Sequence, residues 1–189
     1  MFNKLIAAAF LLATPAFAQE VPDLAGPNLV IEVAGEANGT VVIDLLPDVA
    51  PKHVAQIVAL ARDGAYDDVV FHRVIDGFMA QTGDVQYGKA SGDTAMAGMG
   101  GSSLPDLPAE FSDISFQRGI VGMARSADPD SANSQFFIMF APGEFLDGQY
   151  TVVGRVISGM DVVDGIKRGT GSNGEVSDPD TMAKVSVAD

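Results

Sequence analysis

Residues 28–34 and 40–46 are β-branched runs in which apolar and polar positions alternate, the period-two pattern of half-buried strands. Between them lies 35–39, whose Asn38-Gly39 pair predicts a hairpin. The period then changes. Pro51 opens a segment in which Val54, Ile57, Val58 and Ala61 recur at helical spacing, and Gly64 ends it. Strand-like runs return at 69–75, 78–82, 120–125, 135–140 and 151–157. Met160, Val163 and Ile166 predict a second short helix over 160–167, and 182–187 a closing strand. Residues 86–103 are rich in glycine and small side chains. They read as a long surface loop inside one domain, because strands resume beyond them. Several short strands with only two helices argue for a β-barrel or sandwich and against a parallel α/β sheet.

The N-terminus carries a separate message. Lys4 precedes a short apolar run over 5–13, and Ala16-Phe17-Ala18 reads as a small-residue cleavage site. The run is too short for a membrane span of ~20 residues. Residues 1–18 are therefore expected to be a cleaved signal peptide, 19–27 a flexible leader and 28–189 the working domain, exported to a bacterial periplasm. Export permits disulfides, but the chain has no cysteine, which excludes thiol catalysis, disulfide exchange and cysteine-ligated zinc. A formal net charge of -14 repels phosphate backbones and anionic lipid. Nucleic acid is thus not an expected partner, nor is a membrane once the signal is removed.

Metal and nucleophile chemistry find little support. His53 and His72 are the only histidines, and neither an H-E-x-x-H nor a G-x-S-x-G motif occurs. The glycine-rich stretch at 98–101 lacks the lysine of a phosphate loop. Asp128, Asp130 and Ser131 lack the glycine and terminal glutamate of a calcium loop. No metal and no cofactor are expected. His53 has no evident role, His72 reads as a packed, hydrogen-bonded structural residue, and Asp67, Asp68, Asp128 and Asp130 read as solvated loop charges.

Three blocks are more specific. The first is Phe71-His72-Arg73-Val74-Ile75-Asp76-Gly77-Phe78-Met79-Ala80-Gln81-Thr82-Gly83-Asp84. The second is Gly122-Met123-Ala124-Arg125 with Asn133-Ser134-Gln135-Phe136-Phe137-Ile138. The third is Phe145-Leu146-Asp147-Gly148 with Val153-Gly154-Arg155-Val156 and Gly159-Met160. Their order and approximate spacing resemble the cyclophilins, the first block matching F-H-R-x-I-x-x-F-M-x-Q-x-G-D. The resemblance covers roughly 28–187. It implies a closed antiparallel β-barrel of about eight strands with two capping α-helices, and peptidyl-prolyl cis-trans isomerase activity. It also implies that Arg73 is the catalytic arginine, that Phe78, Met79, Phe137 and Leu146 line a proline pocket, and that Gln81 orients Arg73 and the substrate. Gln135 and the backbone around Ala124 and Arg125 match contacts to the peptide backbone. Four positions depart from the family's usual residues: Phe145 stands where Trp is common, Tyr150 where His is, Arg125 where Asn is, and Thr82 where Gly is. Phe has no donor to replace that of Trp, so cyclosporin binding is expected to be weak. Tyr150 can still pack on a proline ring and donate.

The residues themselves are compatible with this chemistry. Alternation along a regular strand puts Phe71, Arg73 and Ile75 on one face, Met79 with Gln81, and Gln135 with Phe137, while Phe136 faces the core. Rotation about an X-Pro bond meets a barrier of ~18–20 kcal/mol, because the C–N bond has partial double-bond character. An apolar site, a donor aimed at the prolyl nitrogen and contacts that hold one carbonyl would lower it without a nucleophile. Arg73 is the strong candidate for the donor. The expected partners are proline-containing unfolded or newly exported polypeptides, and the expected state is a monomer. A groove that only holds peptides, without useful catalysis, is the competing reading.

Overall fold

The computed structural model describes residues 23–188. The signal segment 1–18 and residues 19–22 of the leader lie outside the described residues. Residues 23–27 run against the second strand: the Leu24 N–H donates to the Asp44 carboxylate at 3.3 Å, and the Leu45 N–H to the Pro27 carbonyl at 3.2 Å.

Among the described residues, nine strands form one antiparallel sheet: β1 (Asn28–Ala34), β2 (Gly39–Leu45), β3 (Val69–Val70), β4 (Arg73–Ile75), β5 (Met79–Thr82), β6 (Ile120–Met123), β7 (Phe136–Met139), β8 (Val152–Ser158) and β9 (Thr181–Ala188). Their order across the sheet is β3-β9-β1-β2-β8-β6-β7-β5-β4. Two helices, α1 (Pro51–Arg62) and α2 (Met160–Gly165), contribute to the core.

The run expected at 69–75 is not one strand. It breaks at Phe71 and His72, and its halves occupy the two opposite edges of the sheet. Val70 pairs with Thr181 on β9, whereas Val74 pairs with Ala80 on β5. Two connecting residues span at most ~10 Å, so the sheet has to curl until its edges meet. Closure is therefore covalent, through residues 71–72; among the described residues no ladder joins β3 to β4. The remaining edge groups are covered by loops. The Val74 N–H donates to the Gly174 carbonyl and the Val70 N–H to the Gly88 carbonyl.

The break also changes which side chains share a face. Phe71 does not stand beside Arg73 and Ile75, as a regular strand would require. It turns inward with Val74, Ala80, Phe136 and Ile138 into the main core, which Val54, Ile57 and Leu60 of α1 and Val163 of α2 help fill. Tyr66 lies there fully buried; its hydroxyl donates to the Ser134 carbonyl at 2.8 Å, and burial pushes the phenol well above its usual range.

Three polar residues have structural jobs that the sequence did not disclose. His53 is fully buried, with Nδ1 2.7 Å from Glu110 Oε2. Glu110 also accepts the N–H groups of Lys52 and His53, so it caps a helix whose own N-cap, Ala50, has no side chain able to do so. Asp67, expected to be solvated, accepts from Lys184 Nζ at 2.6 Å and from the Val185 N–H at 2.9 Å, fastening the turn between α1 and β3 to β9. Asp128 and Asp130 are exposed.

Burial works against the charge of Glu110, but the His53 ring and the two helix N–H groups hold its carboxyl below the usual range. A depressed folded-state value means stability that is present above the unfolded-state value and lost as pH falls through the folded one. Glu110→Gln should lower the unfolding free energy by about 1–2 kcal/mol near neutral pH. In urea titrations that deficit should be complete above a pH of about 5 and should vanish on acidification through the folded-state value.

Candidate active site

Strand alternation builds the site on the outer face of the barrel. Along β5 and β7, Ala80, Phe136 and Ile138 enter the main core, while Met79, Phe137 and Met139 point the other way into a second apolar cluster with Leu146 and Val152. Antiparallel register sets Arg73 of β4 opposite Gln81 of β5, Gln81 opposite Phe137 of β7, and Phe137 opposite Gly122 of β6. A row across four strands thus begins with a cation and ends with an aromatic ring over a glycine. The 3-10 turn Glu144–Leu146 swings Phe145 and Leu146 over this row, and the chain leaving β6 brings Ala124 and Arg125.

These elements enclose an open cavity of about 280 Å³. Its lining comprises Arg73, Phe78, Met79, Gln81, Ala124, Arg125, Phe137, Phe145, Leu146 and Tyr150, ten of the eleven site residues named from the sequence. The eleventh, Gln135, lines an adjoining cavity of about 510 Å³ that shares Gln81, Ala124 and Arg125 with the first. Phe78 leans on Phe145 with ring centroids 5.5 Å apart, and Tyr150 meets Phe137 edge-on at 5.8 Å. Phe145 remains 66% exposed, an apolar rim rather than a floor. The Arg125 guanidinium lies 4.4 Å above the Tyr150 ring and donates to the Gln149 carbonyl, so its charge is turned to the rim. Thr82, where glycine is usual, is fully buried in β5 and donates to the Val70 carbonyl at 2.9 Å.

Arg73 is held by neutral groups alone. Its Nε donates to the Asn173 carbonyl at 3.0 Å, and one terminal nitrogen donates to Gln81 Oε1 at 3.1 Å and touches Met79 Sδ at 3.9 Å. Among the described residues no carboxylate pairs with it and none takes the second terminal nitrogen. Burial lowers the guanidinium from its ordinary value, yet arginine stays charged in proteins. The glutamines are oriented by their partners. Gln135 Nε2 donates to the carbonyls of Gly98 at 3.0 Å and Gly100 at 2.8 Å, and its oxygen accepts from Gln81 Nε2 at 2.9 Å. Gln81 is thereby left with its oxygen toward Arg73.

Several participants could not be read from the sequence. Phe116 is fully buried and stacks on Phe137 at 5.7 Å. A Cβ on Gly122 would come within 2.6 Å of both rings, so the glycine makes the notch that lets Phe116 back the pocket floor. Phe116 lies outside any periodic run, and its only sequence signal is that it is aromatic. Asn173 acts through its carbonyl, which leaves no mark in side-chain chemistry. His72 is buried as expected but is not hydrogen-bonded: neither ring nitrogen has a partner. Burial depresses its affinity for a proton, with the Asp84 charge opposing.

Residues 29–187 match the family described as cyclophilin type peptidyl-prolyl cis-trans isomerase/CLD. The chain belongs to this family. A probable peptidyl-prolyl cis-trans isomerase of Brucella suis is 55% identical over 185 residues, covering 96% of this chain and 94% of that protein. The isomerase cyp15 of Rhizopus delemar is 37% identical over 155 residues, 82% of this chain and 23% of that longer protein. Among solved structures, the cyclophilin AquaCyp293 from Hirschia baltica superposes with a TM-score of 0.69 at 27% identity, over 84% of this chain and 72% of its own. A cyclophilin-type isomerase from Cryptosporidium parvum, solved in the presence of the dipeptide Ala-Pro, gives 0.73 at 24% identity over 86% of this chain and 99% of its own. The cyclophilin fold and the isomerase activity, acting on proline-containing polypeptides, follow from this membership. In such an enzyme the work at the bond is rotation, with no covalent intermediate required. A small apolar cavity with the Arg73 guanidinium at its edge, held by neutral groups, is chemically suited to it.

Proposed function

We propose that this cyclophilin accelerates X-Pro rotation through Arg73 and acts in the periplasm on unfolded or newly exported chains. The observation that carries the mechanism is the guanidinium held between Gln81 and Asn173 with no carboxylate beside it. In the planar amide the nitrogen lone pair is delocalised and accepts poorly. As the bond twists, resonance is lost and the lone pair becomes a good acceptor. A cation whose donors already point at that position stabilises the twisted state more than either planar one, which is the condition for catalysis. The apolar walls of Phe78, Met79, Phe137 and Leu146 take the proline ring and exclude water. Gln135 and the backbone at Ala124–Arg125 hold the preceding peptide group, so that one side of the bond stays fixed while the other turns. The competing reading, a peptide-holding groove without catalysis, would use the same guanidinium only to donate to peptide carbonyls, and turnover separates the two. Lys4, the apolar run over 5–13 and Ala16-Phe17-Ala18 support export.

Arg73→Ala should lower kcat/KM on a short X-Pro peptide by about 10²–10³-fold with the melting temperature nearly unchanged. Arg73→Lys should recover little, because a lysine cannot replace the planar fork. No acceleration by the folded wild type would remove the enzyme mechanism and favour the holding groove. Phe145 offers no hydrogen-bond donor on the rim, so calorimetric titration should show cyclosporin binding far weaker than nanomolar; a nanomolar dissociation constant would overturn this. N-terminal sequencing of the chain recovered from a periplasmic fraction should begin at Gln19, whereas an intact Met1 would refute cleavage after Ala18.

A further inference from the structure

The loop over residues 84–101 contains a fully buried carboxylate, Asp84. Among the described residues no lysine or arginine lies in ion-pair range of it. It is satisfied by backbone instead: Oδ1 accepts the N–H groups of Gln86 at 3.0 Å and Tyr87 at 2.9 Å, and Oδ2 those of Gly98 at 2.7 Å and Gly100 at 2.9 Å. A carboxylate offers about four lone-pair sites, and here all are used. The approach is close. A Cβ on Gly100 would fall 2.7 Å from Asp84 Oδ1, and one on Gly98, whose φ is +98°, would fall 2.9 Å from the His72 ring. Glycine at both places is what allows the loop to close on the carboxylate.

The two residues gripped through their N–H groups are the same two whose carbonyls receive Gln135 Nε2. Six hydrogen bonds of 2.7–3.1 Å therefore run from Asp84 through Gly98 and Gly100 to Gln135, then Gln81, then Arg73. The line has a polarity. Carbonyls at its start force the Gln135 amide to present oxygen to Gln81, and that forces Gln81 to present oxygen to the guanidinium. If the two carbonyls move away, both amides are free to turn over, and Gln81 can then set an NH2 against an arginine N–H.

We propose that Asp84 is a positioning residue for the isomerisation: by fixing the Gly98 and Gly100 carbonyls it sets the orientation of Gln135 and Gln81, and through them the place of the Arg73 guanidinium. It touches no substrate. The inference rests on the reading of Arg73 as the catalytic group.

The test is a double-mutant cycle in the mature chain, with a short X-Pro peptide as probe. Asp84→Asn replaces one acceptor oxygen with an NH2, so the loop N–H groups it faced lose their acceptor. It should lower kcat roughly tenfold with KM changed by less than about twofold, the signature of a misplaced transition-state group. In a Gln135→Ala background the same change should cost almost nothing further, because the line is already cut. Gly100→Ala, which keeps the carboxylate but pushes the loop off it, should behave in the same way, and it serves as the variant if Asp84→Asn does not fold. The Arg73 Nε–H resonance in a 1H–15N spectrum provides a second reading independent of turnover. It should shift on Asp84→Asn and not shift further when Gln135 is already alanine. Independent, multiplicative losses in kcat, or an Arg73 resonance that ignores Asp84, would overturn the proposal. A wild type that folds but does not catalyse would defeat the Arg73 mechanism instead, and the resonance alone would then decide whether Asp84 places the guanidinium.

Discussion

Phe71 and His72 join strands that lie at opposite edges of a nine-stranded sheet. Everything else about the molecule depends on that short crossing. Because so few residues cannot span an open sheet, the sheet is obliged to curl, and its interior becomes a single apolar core. Arg73 is the first residue after the crossing, so the bend that closes the barrel also brings a cation out onto its surface. Register then carries the order across β4, β5, β7 and β6, placing Gln81, Phe137 and Gly122 in line with it.

A second constraint is the treatment of charge. Positive charge near an apolar pocket would ordinarily attract a carboxylate, and this chain has many more acids than bases. Two acids near the site are committed elsewhere. Asp84 is occupied by backbone N–H groups, and Asp76 pairs with Arg168. Arg73 is left with amide and carbonyl partners, which hold its geometry without cancelling its charge. That is the electrostatic state in which a donor can favour a twisted amide over a planar one.

Much of this was legible in the residues. The alternation along 79–82 and 136–139 separated outward Met79, Gln81 and Phe137 from inward Ala80, Phe136 and Ile138, because each strand is regular and buried on both faces. The helices followed from Pro51 and from the spacing of Met160, Val163 and Ile166. What failed was the assumption of regularity over 69–75, since a strand that changes neighbours in mid-course has the same composition as one that does not. The partnership of His53 with Glu110 joins residues 57 positions apart in sequence, and the Asn173 carbonyl that holds Arg73 is backbone. Neither kind of contact has a local signal. Phe116 was hidden for a different reason: its place is created by an absence, the missing side chain of Gly122.

The row from Arg73 to Gly122 has a temporal meaning as well. Its members come from distant parts of the chain, and Arg73 is held in addition by a carbonyl 100 positions further on. Contacts of such long range form late, after the costly loop closures. The row is therefore complete only once residues 73 to 173 have been brought together, late in the making of the sheet. Its assembly is in this sense a record that the long-range contacts have formed.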